Sequence, residues 1–453
     1  MKNHIKNLPK SSLSGFKNKI VFFACVLGIN LFLFPYPGFS QEPVISGQIR
    51  AGSRLYIQKD AWSESTWHTL PRLDLSMEAK SNHAEAKLKL RLEDTWAQSL
   101  PNTPFNRVVD EAYLRSFFGD TVLDAGYFKL VWGKGDDIHV LDVLNPTNYY
   151  DFVNNDYLDR RSSEWMIRLL QPLGSMHAVE FVWQPVTNTD TIPFTGPWKP
   201  YEISKLEAML GQSALQLQEN GKITQQTLNS LTDGTYGVRF TGSAGGFDYG
   251  LLYAYTFHRQ PKVELKGSLL NPPTLEIHLS YDRIHVFGIE GSTAFQGFTF
   301  RMEGGYFLTP DTKGTDPKVR NNWVGYVGGF DRDLWTDGPN LNLQIQGTLP
   351  LQTDKIDKNN MADLEFRSNG KYTIHIVAGN LSYTFAENKL KTKVSAAYGL
   401  EQKDLRLAPE LTYEPFDDFQ CKIRWVQFIG NSDTPFGQYK DSSFFELGVS
   451  YRF

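Results

Sequence analysis

The chain has 453 residues, 41% of them hydrophobic, 14% aromatic and 21% charged, with 46 basic against 50 acidic side chains. That balance provides no net positive field to attract a phosphate backbone, so nucleic acid is excluded as a partner. Only two cysteines, Cys25 and Cys421, are present, which rules out a disulfide framework and a cysteine-built zinc site.

Residues 1–40 read as a cleaved secretory signal peptide. Lys2, Lys6, Lys10, Lys17 and Lys19 form a basic lead without an acid, followed by the apolar run "IVFFACVLGINLFLF" (20–34). Gly38 and Ser40 supply the small residues of a cleavage site between Ser40 and Gln41. A lipoprotein reading through Cys25 fits less well, because only five apolar residues precede that cysteine. Removing the leader and its five lysines leaves 413 residues with 41 bases and 50 acids, a net charge of −9. No later stretch approaches the roughly 20 apolar residues of a transmembrane helix. A lipid-facing strand escapes such a scan, because its alternating hydrophobicity averages away.

Alternation is what the rest of the chain shows. A first strand is expected near 45–58. "LDLSMEAK" (73–80) sets Leu73, Leu75, Met77 and Ala79 against Asp74, Ser76, Glu78 and Lys80, and "EAKLKLRLED" (85–94) sets Leu88, Leu90 and Leu92 against Lys87, Lys89 and Arg91. Runs near 111–131, 164–184 and 235–243 follow, then "FDYGLLYAYTF" (247–257), runs near 275–290, 295–308 and 322–332, and "LNLQIQGTL" (341–349). The series closes with 372–385, 391–400, "LRLAPELTY" (405–413), "FQCKIRW" (419–425) and the terminal "SFFELGVSYRF" (443–453). Successive side chains of a strand point to opposite faces, so each run has an apolar and a polar face. Short clusters such as "KSNH" (80–83), "SAGG" (243–246) and "FAENK" (385–389) supply hairpin turns. The expectation is an all-β, antiparallel sheet of about 16 to 18 strands.

What covers the apolar face decides the class. Aromatics near strand ends (Tyr56, Trp96, Trp132, Trp165, Trp183, Trp323 and Trp425) suit the interfacial girdles of a membrane barrel. They also suit a large soluble sheet, where aromatic rings favour strands. The last strand places Phe445, Leu447, Val449, Tyr451 and Phe453 on one face. Its Tyr451 and carboxy-terminal Phe453 resemble the assembly signal by which outer-membrane proteins engage the barrel assembly machinery. With the leader, this favours a transmembrane antiparallel β-barrel over 41–453 whose outer face meets outer-membrane lipid. The expected lumen face is mixed in sign: Arg72, Asp74, Glu78, Glu85, Lys87, Lys89, Arg91, Arg406, Glu410, Lys422, Arg424, Glu446 and Arg452.

Three connections break the rhythm. In 187–234, the spacing of Ile203, Leu206, Met209 and Leu210, then Leu215 and Leu217, then Leu228 and Leu231 suits short amphipathic helices. This insertion is either a surface excursion, the preferred reading, or a partial plug. "TPDTKGTDPKVRNN" (309–322) reads as a solvated loop. Residues 133–161 are longer than a plain connection and too apolar to lie free in solvent, so they are expected to fold inward and narrow a pore. Lys134, Asp136, Asp137 and Asp142 are the candidate constriction residues, and the acids among them are expected to meet wall bases such as Lys87, Lys89 and Arg91, or Lys134, Arg160 and Arg161 within the segment. No EF-hand spacing accompanies the acids, and no metal or cofactor is expected.

The same stretch carries a resemblance. Gly126, Trp132-Gly133, Asp136 and the run Asp142-x-x-Asn145-Pro146 are similar to the signature of a domain-of-unknown-function family of Gram-negative outer-membrane β-barrels, itself similar to alginate-export-type porins. Tyr127-Phe128 and Thr147-Asn148-Tyr149 depart from that pattern. The resemblance implies a barrel in the outer membrane, with Gly126, Trp132, Gly133, Asn145 and Pro146 in structural roles. An enzyme is not expected: neither Gly-x-Ser-x-Gly nor His-Glu-x-x-His occurs. The expected function is a porin-like channel for passive diffusion of small polar or organic solutes. The alternative is a structural or adhesive barrel with an exposed binding loop.

Overall fold

The structure, a computed structural model, describes residues 42–57, 67–93, 108–153, 156–212, 216, 223–228, 230–266, 276–316, 318–355 and 372–453. The expected signal peptide and Trp96 lie outside these residues, as do Leu215 and Leu217. Among the described residues no helix is long and apolar enough to cross a membrane, a statement about helices only.

The strands are β1 (Val44–Tyr56), β2 (Trp67–Thr69), β3 (Arg72–Lys80), β4 (Ala84–Glu93), β5 (Val109–Phe118), β6 (Thr121–Phe128), β7 (Glu164–Leu173), β8 (His177–Gln184), β9 (Ile223–Gln225), β10 (Thr235–Ala244) and β11 (Phe247–Phe257). They continue as β12 (Lys262–Lys266), β13 (Glu276–Ser280), β14 (Arg283–Phe295), β15 (Phe298–Leu308), β16 (Trp323–Asp333), β17 (Asn340–Pro350), β18 (Ile374–Phe385), β19 (Leu390–Gly399), β20 (Asp404–Phe416), β21 (Phe419–Ile429) and β22 (Phe444–Arg452). Each wall strand pairs antiparallel with its neighbours, and β22 returns to β1 over Gln48↔Arg452 to Tyr56↔Phe444. The sheet therefore closes on itself. β2 and β3 both pair with β1 and form one stave interrupted at Leu70–Pro71, where proline lacks the N–H a ladder needs. The result is an 18-stranded closed antiparallel barrel.

β9, β12 and β13 form a separate three-stranded sheet, packed through Ile223, Ile277 and Leu279 with Phe194 and the helix α1 (Tyr201–Leu210). One helix is thus where the spacing placed it. After 210 the described residues divide: Leu231–Asp233 forms a short 3-10 helix, as the spacing suggested, whereas Ile223–Gln225 is a strand paired parallel with β13. The run expected over 275–290 likewise divides into β13, outside the wall, and β14, within it.

The register fixes which side chains face out. On β22, Phe445, Leu447, Val449 and Tyr451 are exposed while Glu446 is buried. The neighbours repeat this: Leu251, Phe287, Ile289, Met302, Ile345 and Ile423 are exposed, whereas Arg54, Asp74, Asp124, Glu180, Glu290, Glu303 and Arg424 are buried. A soluble monomer rarely exposes so extended an apolar surface, and a soluble core is not lined with charge. Lipid outside and water inside account for both. Connections of two to six residues close one end, such as 119–120 and 334–339, and the other end carries the long ones, including 129–163 and 185–234. In outer-membrane barrels the short turns are periplasmic and the long loops extracellular.

The girdle expectation is corrected for Tyr56, Trp132 and Trp323. All three are buried: Tyr56 packs with Trp198 and Phe444, and Trp323 stacks on Phe307 with ring centroids 4.6 Å apart. Trp183, by contrast, is exposed on the outer face.

Candidate functional site

The chain leaves the sheet after β6 and re-enters it at β7, and between these points the described residues 129–153 and 156–163 reach across the lumen. The outgoing arm is fastened by one carboxylate of β15. Glu303 accepts N–H bonds from Gly135 (2.6 Å), Val140 (2.7 Å) and Leu141 (3.0 Å), and His139 Nδ1 lies 2.9 Å from it. Gly133 has φ +114°, and a Cβ there would stand 2.2 Å from the Glu303 carboxylate, so only glycine lets the chain approach. Gly126, at φ +148°, is similarly constrained, since a Cβ would meet the Ala112 carbonyl oxygen at 2.4 Å. Trp132 is fully buried and donates Nε1–H to Glu180 at 2.7 Å. Leu141 and Leu144 fill an apolar cluster with Val182, Ala254, Val286 and Phe307.

Asn145 and Pro146 make the turn. Asn145 Oδ1 accepts from Leu130 N–H at 2.8 Å and its Nδ2 donates to the Ser162 carbonyl at 2.9 Å, so one amide ties the two ends of the segment together. Arg259 adds a cap, donating to the carbonyls of Val143 and Leu144. The Leu144 carbonyl is buried and would cost roughly 1–3 kcal/mol if left unpaired.

Of the candidate constriction acids, Asp142 pairs with Arg161 of its own segment, and none meets Lys87, Lys89 or Arg91. Asp136 pairs with Arg301 of β15 at 3.1 Å and accepts from Asn342 of β17. Asp137 accepts from Asn380 of β18 at 3.0 Å, with Lys393 of β19 at 3.9 Å. Asp142 is held within the segment by Tyr157 (2.6 Å) and Arg161 (3.0 Å). Lys134 is half-buried, with no hydrogen bond or ion pair among the described residues. The wall bases satisfy wall acids instead: Lys87 faces Glu78 and Glu111, and Lys89 meets Asp110 at 2.8 Å. Arg91 meets Asp74, Asp110 and Asp159. The expected pairing of Asp136, Asp137 and Asp142 with Lys87, Lys89 and Arg91 is therefore corrected. The reason is reach: the outgoing arm lands on β15–β19, while β3 and β4 lie five to nine staves away around the barrel.

The returning arm supplies the opposite contact. Asp159 is bound by Arg72 of β3, Arg91 of β4 and Arg50 of β1. Burial alone would raise this carboxyl, but hydrogen bonding from Arg72 and the charges of Arg91, Arg72 and Arg50 outweigh it and hold it well below the usual carboxylate range. Val153 lends its carbonyl to Arg424 of β21 at 2.9 Å. One segment is thus fixed to walls on both sides of the lumen.

Around it, the wall carries ion pairs of alternating sign. Arg115 meets Asp124 at 2.7 Å, Arg168 joins Asp124 to Glu180, and Arg239 joins Glu180 to Glu290. Arg54 and Arg424 share Glu446 at 2.6 and 2.8 Å. At the long-loop end, Trp198 from the 187–234 connection packs on Tyr56, Phe152, Phe428 and Phe444, which puts part of that connection against the inner wall. Tyr451 faces outward, and the backbone of Phe453 exchanges two hydrogen bonds with Gly47 (2.8 and 3.0 Å). Sequence reasoning did not single out Glu303, Arg301, Asn342 or Asn380. Their only signal is an inward position in an alternating strand.

No family model matches the chain, and no curated protein matches it in sequence. Solved structures do match in fold. OccK9 of Pseudomonas aeruginosa has a TM-score of 0.50 and 11% identity, over 92% of this chain and 99% of that one. OccAB4 of Acinetobacter baumannii has a TM-score of 0.48 and 12% identity, over 92% and 100%. The outer membrane channel DcaP of Acinetobacter baumannii has a TM-score of 0.41 and 10% identity, over 91% and 97%. At such identities the likeness to OccK9 concerns the barrel fold.

Proposed function

We propose that the protein is a passive outer-membrane channel for small polar or organic solutes, with no catalytic role. The observation that carries this reading is a closed barrel, apolar outside and charged inside, whose lumen is crossed by 129–163 and anchored on both sides. Bases of β1, β3 and β4 and the Glu303 region of β15 flank the crossing, giving a transverse field. Pore width and charge are the two levers by which a water-filled channel sorts solutes. The likeness of 126–146 to a family of outer-membrane barrels supports the location, as does the leader-like start of the chain. Liposome swelling with pure refolded protein tests the function. Swelling rates should fall with solute size and depend on solute charge; liposomes that swell no faster than protein-free controls would refute it.

A further inference from the structure

His139 sits where the outgoing arm, the returning arm and the wall meet, and its side chain is only 6% exposed. Its Nδ1 lies 2.9 Å from Glu303 Oε1, and its Nε2 lies 3.1 Å from the carbonyl oxygen of Asp136. Neither neighbour has a proton to give. A carbonyl only accepts, and the Glu303 carboxylate already accepts from Gly135 at Oε1 and from Val140 and Leu141 at Oε2. A neutral imidazole carries a single N–H, so one of its nitrogens would turn a lone pair toward an oxygen. The doubly protonated ring donates to both.

Charged groups approach this ring from each element packed against it. Glu303 comes from β15, with Glu290 of β14 opposite it in the register. On the outgoing arm itself, the Asp136 carboxylate is held by Arg301 at 3.1 Å. From the returning arm, the Tyr157 ring has its centroid 4.6 Å from that of His139, within reach of a cation–π contact. Arg160 and Arg161 lie 5.4 and 4.9 Å from the centroid of the same Tyr157 ring and oppose a further cation. Asp142, which accepts from the Tyr157 hydroxyl at 2.6 Å, offsets them.

We propose that His139 is a positioning residue held as an imidazolium, and that its second proton clasps the crossing segment to the wall and places the bore of the channel under the control of pH. When the ring loses that proton, one of its two hydrogen bonds gives way to facing lone pairs, and the cation–π contact with Tyr157 disappears. The outgoing arm then loosens from β15 and from the returning arm, and the lumen widens. The clasp is complete at low pH and is lost as pH rises. The inference rests on the channel reading and adds a control to it.

The test uses the full chain in planar bilayers in KCl, from about pH 5 to about pH 9, an interval that brackets the ordinary histidine range. The parent should conduct in small steps at the acid end. At the alkaline end it should spend about tenfold more time in larger steps, the weight of one hydrogen bond to a charged group. His139→Gln, which does not titrate, should show the larger steps at both ends. His139→Arg, which keeps a cation and several donors throughout, should hold the small steps at both ends. The inference is overturned if the parent's steps are the same at both ends, if the change persists in His139→Gln, or if His139→Arg opens with pH as the parent does. Should neither variant fold, ¹⁵N spectra of the parent's His139 ring decide. Two N–H groups that fall to one over the interval in which the steps enlarge support the clasp, and a single N–H at the acid end overturns it. Absence of any KCl current from folded parent protein at every pH would overturn the channel reading itself, which separates the two failures.

Discussion

Glu303 is the residue on which the crossing segment most depends, and Glu303→Gln is the sharpest perturbation of it. The carboxylate accepts from three backbone amides and faces His139. Hydrogen bonds to a charged group contribute about 1.5–3 kcal/mol each. Glutamine keeps one acceptor oxygen but turns an amide N–H₂ toward donors, so at least one bond is lost and another is opposed. The cost of holding the outgoing arm should be about 2–4 kcal/mol, at the scale of one to two such bonds. At about 1.4 kcal/mol per factor of ten, the open population of that arm rises roughly 30- to 700-fold. The barrel itself should survive, because Glu303's backbone pairings with Glu290 and Val327 are untouched. Amide hydrogen exchange of Gly135, Val140 and Leu141 in nanodiscs reads this directly. All three should exchange faster by the same factor while β15 amides stay protected. Unchanged exchange at these three would refute the argument that one carboxylate fastens the arm.

Ile289 sits mid-strand on the outer face, between Leu251 and Gly304, so Ile289→Arg should cost about 2–4 kcal/mol of unfolding free energy in lipid; a cost near zero would remove lipid from that face. Deleting Phe453 should reduce outer-membrane yield and heat-modifiable migration while leaving export intact, and normal assembly would count against the terminal strand as an assembly signal. The Asp159 carboxyl is depressed by its arginines, so its contribution is complete above the free-carboxyl value near about 4 and is lost only as pH falls through the lower folded value. A ¹³C-carboxyl titration should therefore show Asp159 still ionised at about pH 3, and a midpoint near the ordinary value would contradict the three-arginine contact.

The barrel was legible because a lipid-facing strand must alternate, and Phe445 to Tyr451 or Phe247 to Phe257 do so without a break. The same rule assigned Lys87, Lys89 and Arg91 to the lumen. What alternation does not carry is which walls face each other. Asp136 meets Arg301 and Asn342, and Asp137 meets Asn380, across sequence separations that only strand number and closure decide. Glu303 looked like any inward acid until the chain near Gly133 was laid against it. Ring chemistry misled for Tyr56, Trp132 and Trp323, because a side chain suited to an interface packs equally well under an in-folded segment. The strand at Ile223–Gln225 was hidden because its parallel partner lies in another loop.

Single-channel conductance of the parent beside a variant with 135–150 replaced by a short Gly-Ser linker tests the central claim most directly. Removing the outgoing arm and its Glu303, Arg301 and Asn342 contacts should widen the lumen, so the variant should conduct in larger steps than the parent. A folded variant that conducts in steps of the parent's size would show that the segment does not narrow the pore.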